Sequence, residues 1–207
     1  MKKYLYRPKS NSKELIDTFM YDPYSIKQYG QIQGLDPTDK ILEVSSACQD
    51  YLGKGLSALT MTIMSPVGIC SVESLYQGSK LFELGGPYTD LYLKKPYVAR
   101  NDPRLKGSGR VIGYSYFNDY WPESPVIGLY TWLYFNAYRS LDPSLQFQIE
   151  QYSYYSDIFY NGNQQVNTPA RSLAISIALC ELGHWNDPHI PIPKATFLEI
   201  LHWVKLP

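Results

Sequence analysis

The stretch SPVIGLYTWLYFNAYRSLDP, residues 124 to 143, is apolar on nearly every side and bounded by prolines. A helix without a polar face cannot lie on a surface, so this one has to run through the middle of a domain and be covered all round. The chain has 207 residues, enough to cover it with one full-sized core and no second domain. It lacks the run of about 18 apolar residues that a membrane helix needs. The opening MKKYLYRPK is basic with no apolar stretch behind it, which argues against a secretory signal. A cytoplasmic protein with no membrane partner is expected.

The remaining pattern suggests an α+β class: one mostly helical domain with a small β-sheet. SNSKELIDTFMYD reads as a short helix closed by Asp22-Pro23, and KILEVSS, LSALTMTI and VGIC read as strands. A helix from about Ser71 to Leu84 is expected to stop at Gly85-Gly86-Pro87. Thr168 and Pro169 open another helix as cap and first residue, with Gly183 past its end, and a last helix spans about Lys194 to Val204. Residues 1–35 form an extension of the same domain, whose body is 36–207.

Composition narrows the chemistry. Formal net charge is zero, so any affinity for nucleic acid must come from a local patch. The three cysteines are far apart and lack metal-ligand spacing, which points to reduced thiols and no metal site. Twenty tyrosines stand against three histidines, so stacking and hydroxyl hydrogen bonding are well supplied and histidine chemistry is not. His184, His189 and His202 fit surface roles, and no cofactor is implied.

SVESLYQGSK is the segment with reactive potential. At about 100° per residue, Glu73, Gln77 and Lys80 share a sector roughly 60° wide beside the apolar stripe of Val72, Leu75, Tyr76 and Ser79. Such a trio suits a cleft wall and equally a boundary salt bridge; spacing leaves both readings open. A second cluster comprises Lys94, Lys95, Arg100, Arg104, Lys106 and Arg110 against the single Asp102, with Gly107 and Gly109 permitting close approach of a phosphate. This is either a solvated basic loop or a contact for a DNA backbone. Asn167 and Arg171 flank a helix start where an anion is favoured. Trp121 or Tyr120 could stack on a base or serve as core, and Asp90 could cap a helix.

The ordered set SVESLYQGSKLFELGGPYTDLY, AxxDPRLKxSGR, WLYxNA and NxxARS resembles the NADAR superfamily, and most of all its branch that accompanies DarT-type DNA ADP-ribosyltransferases as antitoxin. Glu73, Tyr76, Gln77 and Lys80 fall on the pattern S-V-E-x-x-Y-Q-x-x-K. The resemblance implies an N-glycosidase that removes ADP-ribose from guanine in DNA, single-stranded or with the base flipped out, and reverses a toxin's modification as antitoxin or phage counter-defence. Glu73 and Lys80 would be catalytic; Tyr76, Gln77, Asp90, Arg104, Trp121, Asp157, Asn167 and Arg171 would bind substrate; Lys94, Lys95, Arg100, Lys106 and Arg110 would hold DNA. Two departures stand out: Leu59-Thr60 replaces an aromatic–asparagine pair, and NQQVNTPARS replaces N-C-Q-A-R-S. Two alternatives remain: an N-glycosidase on a small phosphorylated, riboflavin-pathway-like substrate, and a non-enzymatic protein that binds a DarT-type toxin.

Overall fold

The computed structural model describes residues 3–11, 14–21, 35–36, 38–125, 127–157, 168–183, 187 and 192–201. The proline-bounded segment forms helix α5 (Gly128–Arg139), whose Leu129, Leu133, Tyr134, Phe135, Ala137 and Tyr138 are completely enclosed. Three of its rings have hydrogen-bond partners for their polar atoms, as buried tyrosine and tryptophan favour. Tyr134 Oη donates to the Leu56 carbonyl, Tyr138 Oη to Glu150 Oε1 at 2.8 Å, and Trp132 Nε1 to the Ile192 carbonyl at 3.2 Å. Helix α7 (Pro169–Glu181) packs along α5, with Thr131 and Ser172 hydroxyls bonded at 3.2 Å between them. It opens on Thr168 and Pro169, and Gly183 beyond its end has φ +70°.

The other face of α7 rests on a four-stranded sheet of order β2-β1-β9-β3, built from β1 (Lys3–Asn11), β2 (Glu14–Tyr21), β3 (Ile41–Glu43) and β9 (Tyr154–Ser156). The expectation of a helix near residues 10–22 is therefore corrected. Glu14–Tyr21 is a strand antiparallel to β1, with Arg7 directly opposite Asp17. Cross-strand charges fix that register: Arg7 meets Asp17 at 2.8 Å, and Lys9 meets Glu14 at 2.7 Å and Asp17 at 3.2 Å. Pro8 lies beyond the residues of β1 that pair with β9, so its missing N–H costs that ladder nothing.

Two smaller sheets frame the reactive segment. A hairpin of β4 (Thr62–Ser65) and β5 (Gly68–Ser71) leads directly into helix α2 (Val72–Ser79), and the three-stranded sheet β6-β7-β8 follows, with β6 (Lys80–Phe82), β7 (Val111–Tyr116) and β8 (Asp119–Pro122). Helix α1 (Tyr51–Gly55), short helices α3 (Pro96–Arg100) and α4 (Arg104–Gly107), α6 (Pro143–Ile149) and α8 (Lys194–Leu201) complete the described chain. Among the described residues there are three sheets, so the expected single small sheet is corrected, and the domain is mixed α+β. Among the described residues no helix is long and apolar enough to cross a membrane.

Helix α2 also ends earlier than its sequence suggests. Lys80 has ψ 130°, extended, and pairs with Tyr114 as the first residue of β6. Gly85-Gly86 does not stop a helix but turns the chain back onto that junction: the Phe82 N–H donates to the Gly85 carbonyl at 2.8 Å. Gly86 sits at φ +84°, and a Cβ there would lie 2.3 Å from the Lys80 carbonyl oxygen. Only glycine fits both demands. Gly78 serves a similar end within α2, since a Cβ would meet the Tyr92 ring at 2.7 Å.

Candidate active site

Ser71 caps α2 by accepting the Ser74 N–H at 3.0 Å, and the Val72 and Glu73 N–H groups donate to the Met61 and Ala58 carbonyls at 2.9 and 3.0 Å. These bonds lock the first turn of the helix, so Glu73 projects from a fixed backbone. The residue is 6% exposed. Oε1 accepts from Gln77 Nε2 at 2.9 Å, one helical turn on, and lies 3.9 Å from Nε of Arg100 on α3. The guanidinium is exposed and the carboxylate is not, so Arg100 stands between Glu73 and solvent. Arg100 was expected on DNA; it is placed here as the ion-pair partner of the candidate catalytic acid. Gln77 Oε1 is buried with no hydrogen-bond partner among the described residues, an acceptor left open beside Glu73.

Lys80 does not continue the helical face carrying Glu73, because the helix has ended, yet it remains in the same electrostatic neighbourhood. Its ammonium makes no ion pair among the described residues and stands 4.8 Å over the Tyr76 ring. Burial pushes its pKa down to about 8, the Glu73 charge partly opposing this and the Arg100 charge adding to it. At pH 7 about one such amine in ten is neutral. Tyr76 is itself held by Tyr114, the two hydroxyls 3.1 Å apart, and by an edge-to-face contact with Tyr130 at 5.0 Å.

Tyr130, from the first turn of α5, is a residue that sequence reasoning missed. Its phenol is wholly buried, and its pKa is raised well above the ordinary value, first by burial and then by the negative charges of Glu73 and Asp157. Glu73 and Asp157 thus act on one hydroxyl from two parts of the chain. Nothing in the sequence separates Tyr130 from its core neighbours.

Asp157 follows β9 and faces the start of α7, where its Oδ1 accepts the Ala170 N–H at 3.1 Å. Burial raises its pKa to about 7, with Glu43 adding to the rise and Thr168, Ala170 and Arg171 opposing it. An anion bound at this helix start was expected to use Arg171, but the place is already held by a carboxylate. Arg171 is 3% exposed, donates from Nη2 to Tyr6 Oη at 3.2 Å and lies 5.0 Å from the centre of that ring. Its position is that of an interior support for the β9–α7 junction. Tyr6, on β1, accepts the Arg171 hydrogen bond, and nothing in the local sequence marks it. Asn167 lies outside the described residues.

The other candidates divide. Asp90, on the 3₁₀ turn Thr89–Leu91, pairs with Arg104 at 2.7 Å, and Arg104 also pairs with Asp102 at 2.9 Å and covers the Tyr88 ring at 4.5 Å. Two carboxylates therefore occupy the guanidinium fork that a phosphate would need. Trp121 is 1% exposed and packs on Trp132 at 5.4 Å, so stacking on a base is corrected to a core role. Arg110 pairs with Glu83 at 3.4 Å. Lys94, Lys95 and Lys106 are exposed with no ion pair among the described residues. Thr60 bonds to its own turn, at the Ser57 hydroxyl (3.1 Å) and the Lys54 carbonyl (3.2 Å), so it does not replace the missing asparagine toward the site.

The arrangement can do two chemical things: place a carboxylate beside a cationic sugar carbon, and offer an amine whose proton is unusually easy to remove. No curated protein matches the chain. A family model described as the DarT1-associated NADAR antitoxin matches residues 25–203, and with most of its length and the ordered motifs inside that match, this chain belongs to the DarT1-associated NADAR antitoxin family.

Proposed function

We propose that the protein hydrolyses the N-glycosidic bond between ADP-ribose and guanine in DNA and so reverses the modification made by a DarT-type toxin. The observation that carries this reading is the half-buried Lys80 amine, shifted to about 8 and set near the buried, Arg100-paired Glu73. A protein that merely bound a toxin would gain nothing by burying an ammonium that has no ion pair among the described residues, because burial of a charge without a partner is costly.

In the proposed sequence the neutral Lys80 amine attacks the anomeric carbon of the ribose. The new C–N bond forms as the bond to guanine breaks; the bonding pair leaves with the base, which takes up a proton. Glu73 stabilises the positive charge that develops on the sugar. Loss of the amine proton and opening of the ring give an imine between Lys80 and the sugar; water adds to it, ADP-ribose departs and the amine is restored. Gln77 orients Glu73 and keeps its own Oε1 for a sugar hydroxyl. Lys94, Lys95 and Lys106 supply the phosphate contacts that position a DNA strand without reading its sequence.

The test is hydrolysis of an oligonucleotide carrying ADP-ribosylated guanine, with a thymidine-modified oligonucleotide as control. Release of ADP-ribose from the guanine adduct is expected, with loss in Glu73→Gln and Lys80→Ala while both stay folded. Borohydride added during turnover should trap a covalent sugar adduct on the wild type and none on Lys80→Ala. No release by the wild type would overturn the reading and leave capture of the toxin itself as the antitoxin activity.

A further inference from the structure

The basic segment beside Glu73 presents an aromatic ring that the hydrolytic chemistry does not use. Tyr97, on α3, is 71% exposed, with Leu93 at 69% and Val98 at 50% next to it. The segment is nonetheless firmly held. Ser74 Oγ, one residue beyond Glu73, donates to the Lys94 carbonyl at 2.9 Å; the Val98 and Ala99 N–H groups donate to the Lys95 carbonyl at 2.8 and 3.0 Å; and Asn101 Nδ2 donates to the Tyr97 carbonyl at 2.8 Å. Tyr97 and Arg100 are three residues apart on this helix, so they share a face, with Cβ atoms about 5–6 Å apart. Arg100 in turn reaches Glu73 at 3.9 Å. An exposed ring thus lies one side chain away from the carboxylate, flanked by Lys94 and Lys95, which make no ion pair among the described residues.

We infer that Tyr97 is a stacking platform for the base next to the modified guanine in a single strand, with Lys94 and Lys95 on the adjoining phosphates; the inference rests on modified DNA being the substrate. An exposed ring bordered by unpaired cations is the arrangement that holds unpaired nucleic acid, since every base offers a face to stack and every linkage a charge. In a duplex those faces are covered by neighbouring bases, so a platform of this kind selects the single strand. Apolar Leu93 and Val98 extend the surface under the sugar without adding a hydrogen-bond code, and the contact is indifferent to the identity of the flanking base.

Binding is measured first, without chemistry: fluorescence anisotropy with a labelled, unmodified 12-nucleotide single strand and with its duplex. Wild type is expected to prefer the single strand. Tyr97→Ala should weaken single-strand binding roughly 5- to 150-fold, the range for loss of one base stack, and Tyr97→Trp should restore it. Lys94→Ala with Lys95→Ala should flatten the salt dependence of binding. Equal binding of both strands forms, or single-strand affinity unaltered in Tyr97→Ala, would overturn the inference. So would loss of binding to a purified DarT-type toxin in Tyr97→Ala with single-strand affinity intact, which would assign the ring to a protein partner. Wild-type hydrolysis of the modified oligonucleotide is scored separately, so Tyr97-dependent binding without hydrolysis would sink the proposed reaction and leave the platform standing, and hydrolysis without Tyr97-dependent binding would do the reverse.

Discussion

Arg100 Nε lies 3.9 Å from Glu73 Oε1, an exposed guanidinium closing over a buried carboxylate, and the same positive charge helps hold the Lys80 amine below its ordinary pKa. One side chain therefore touches both halves of the proposed chemistry. Replacing it with glutamine should raise the Lys80 pKa above about 8, because a cationic neighbour that disfavours protonation has gone. If the neutral amine attacks, the rate of a single turnover climbs with pH through that pKa in the wild type. In Arg100→Gln the climb should move to higher pH, with a lower rate at pH 7. A profile that does not move would mean that the amine's protonation does not limit the reaction.

Lys80 also makes a stability prediction whose sign is opposite to the usual expectation for removing a charged residue. A lysine depressed in the folded state contributes stability above its unfolded pKa, near 10.5, and that contribution is lost as pH falls through about 8. At pH 7 the folded protein carries the full cost of a half-buried ammonium, roughly 3 kcal/mol at most for a shift of this size. Lys80→Met should therefore melt at a higher temperature than wild type at pH 7, with the gain shrinking by pH 10, while ADP-ribose release is lost. A lower melting temperature at pH 7 would show that the amine is stabilised by interactions other than the Glu73 charge and the Tyr76 ring.

Tyr6 tests whether the N-terminal hairpin belongs to the site's support. Its hydroxyl accepts from Arg171 Nη2, and both lie in the interior beside Asp157. Tyr6→Phe keeps the ring under the guanidinium and removes the hydroxyl, at an expected cost of about 1–3 kcal/mol for a buried bond to a charged group. In a chain of this size that lowers the melting temperature by several degrees. Thermal denaturation of the variant decides it: no shift would mean that the hydroxyl is dispensable to the junction of β1, β9 and α7.

What the sequence disclosed follows from how local each signal is. The cap, first-turn proline and terminal glycine of α7 act within a few residues of one another, and the uniform apolarity of α5 permits only burial, so both helices were legible. Glu73 and Gln77, four apart, met as helical spacing demands. Lys80 escaped that geometry because SKLFEL would suit a helix; what turns it into a strand is pairing with β7, which lies about thirty residues further on. Glu14–Tyr21 becomes a strand for the same reason, through pairing with β1, while Ser and Asn nearby in sequence suit helix caps as readily as turns. Tyr130 and Tyr6 carried no local mark at all, since a tyrosine placed by the fold beside a carboxylate or a guanidinium looks like any other core ring.

Asp157 completes the account of the buried charges. Its pKa is raised from 3.8 to about 7, so the folded state prefers the protonated acid. Stability from that preference is fully present below about 3.8 and is lost as pH rises through 7. Denaturant unfolding between pH 5 and pH 8 should show the wild type weakening from pH 5 and levelling off above about 7. Asp157→Asn keeps an acceptor for the Ala170 N–H and has no proton to lose, so its stability should fall less over the same interval and exceed the wild type's at pH 8. Parallel curves for the two proteins would place the titration elsewhere and leave Asp157 as an ordinary helix-capping carboxylate.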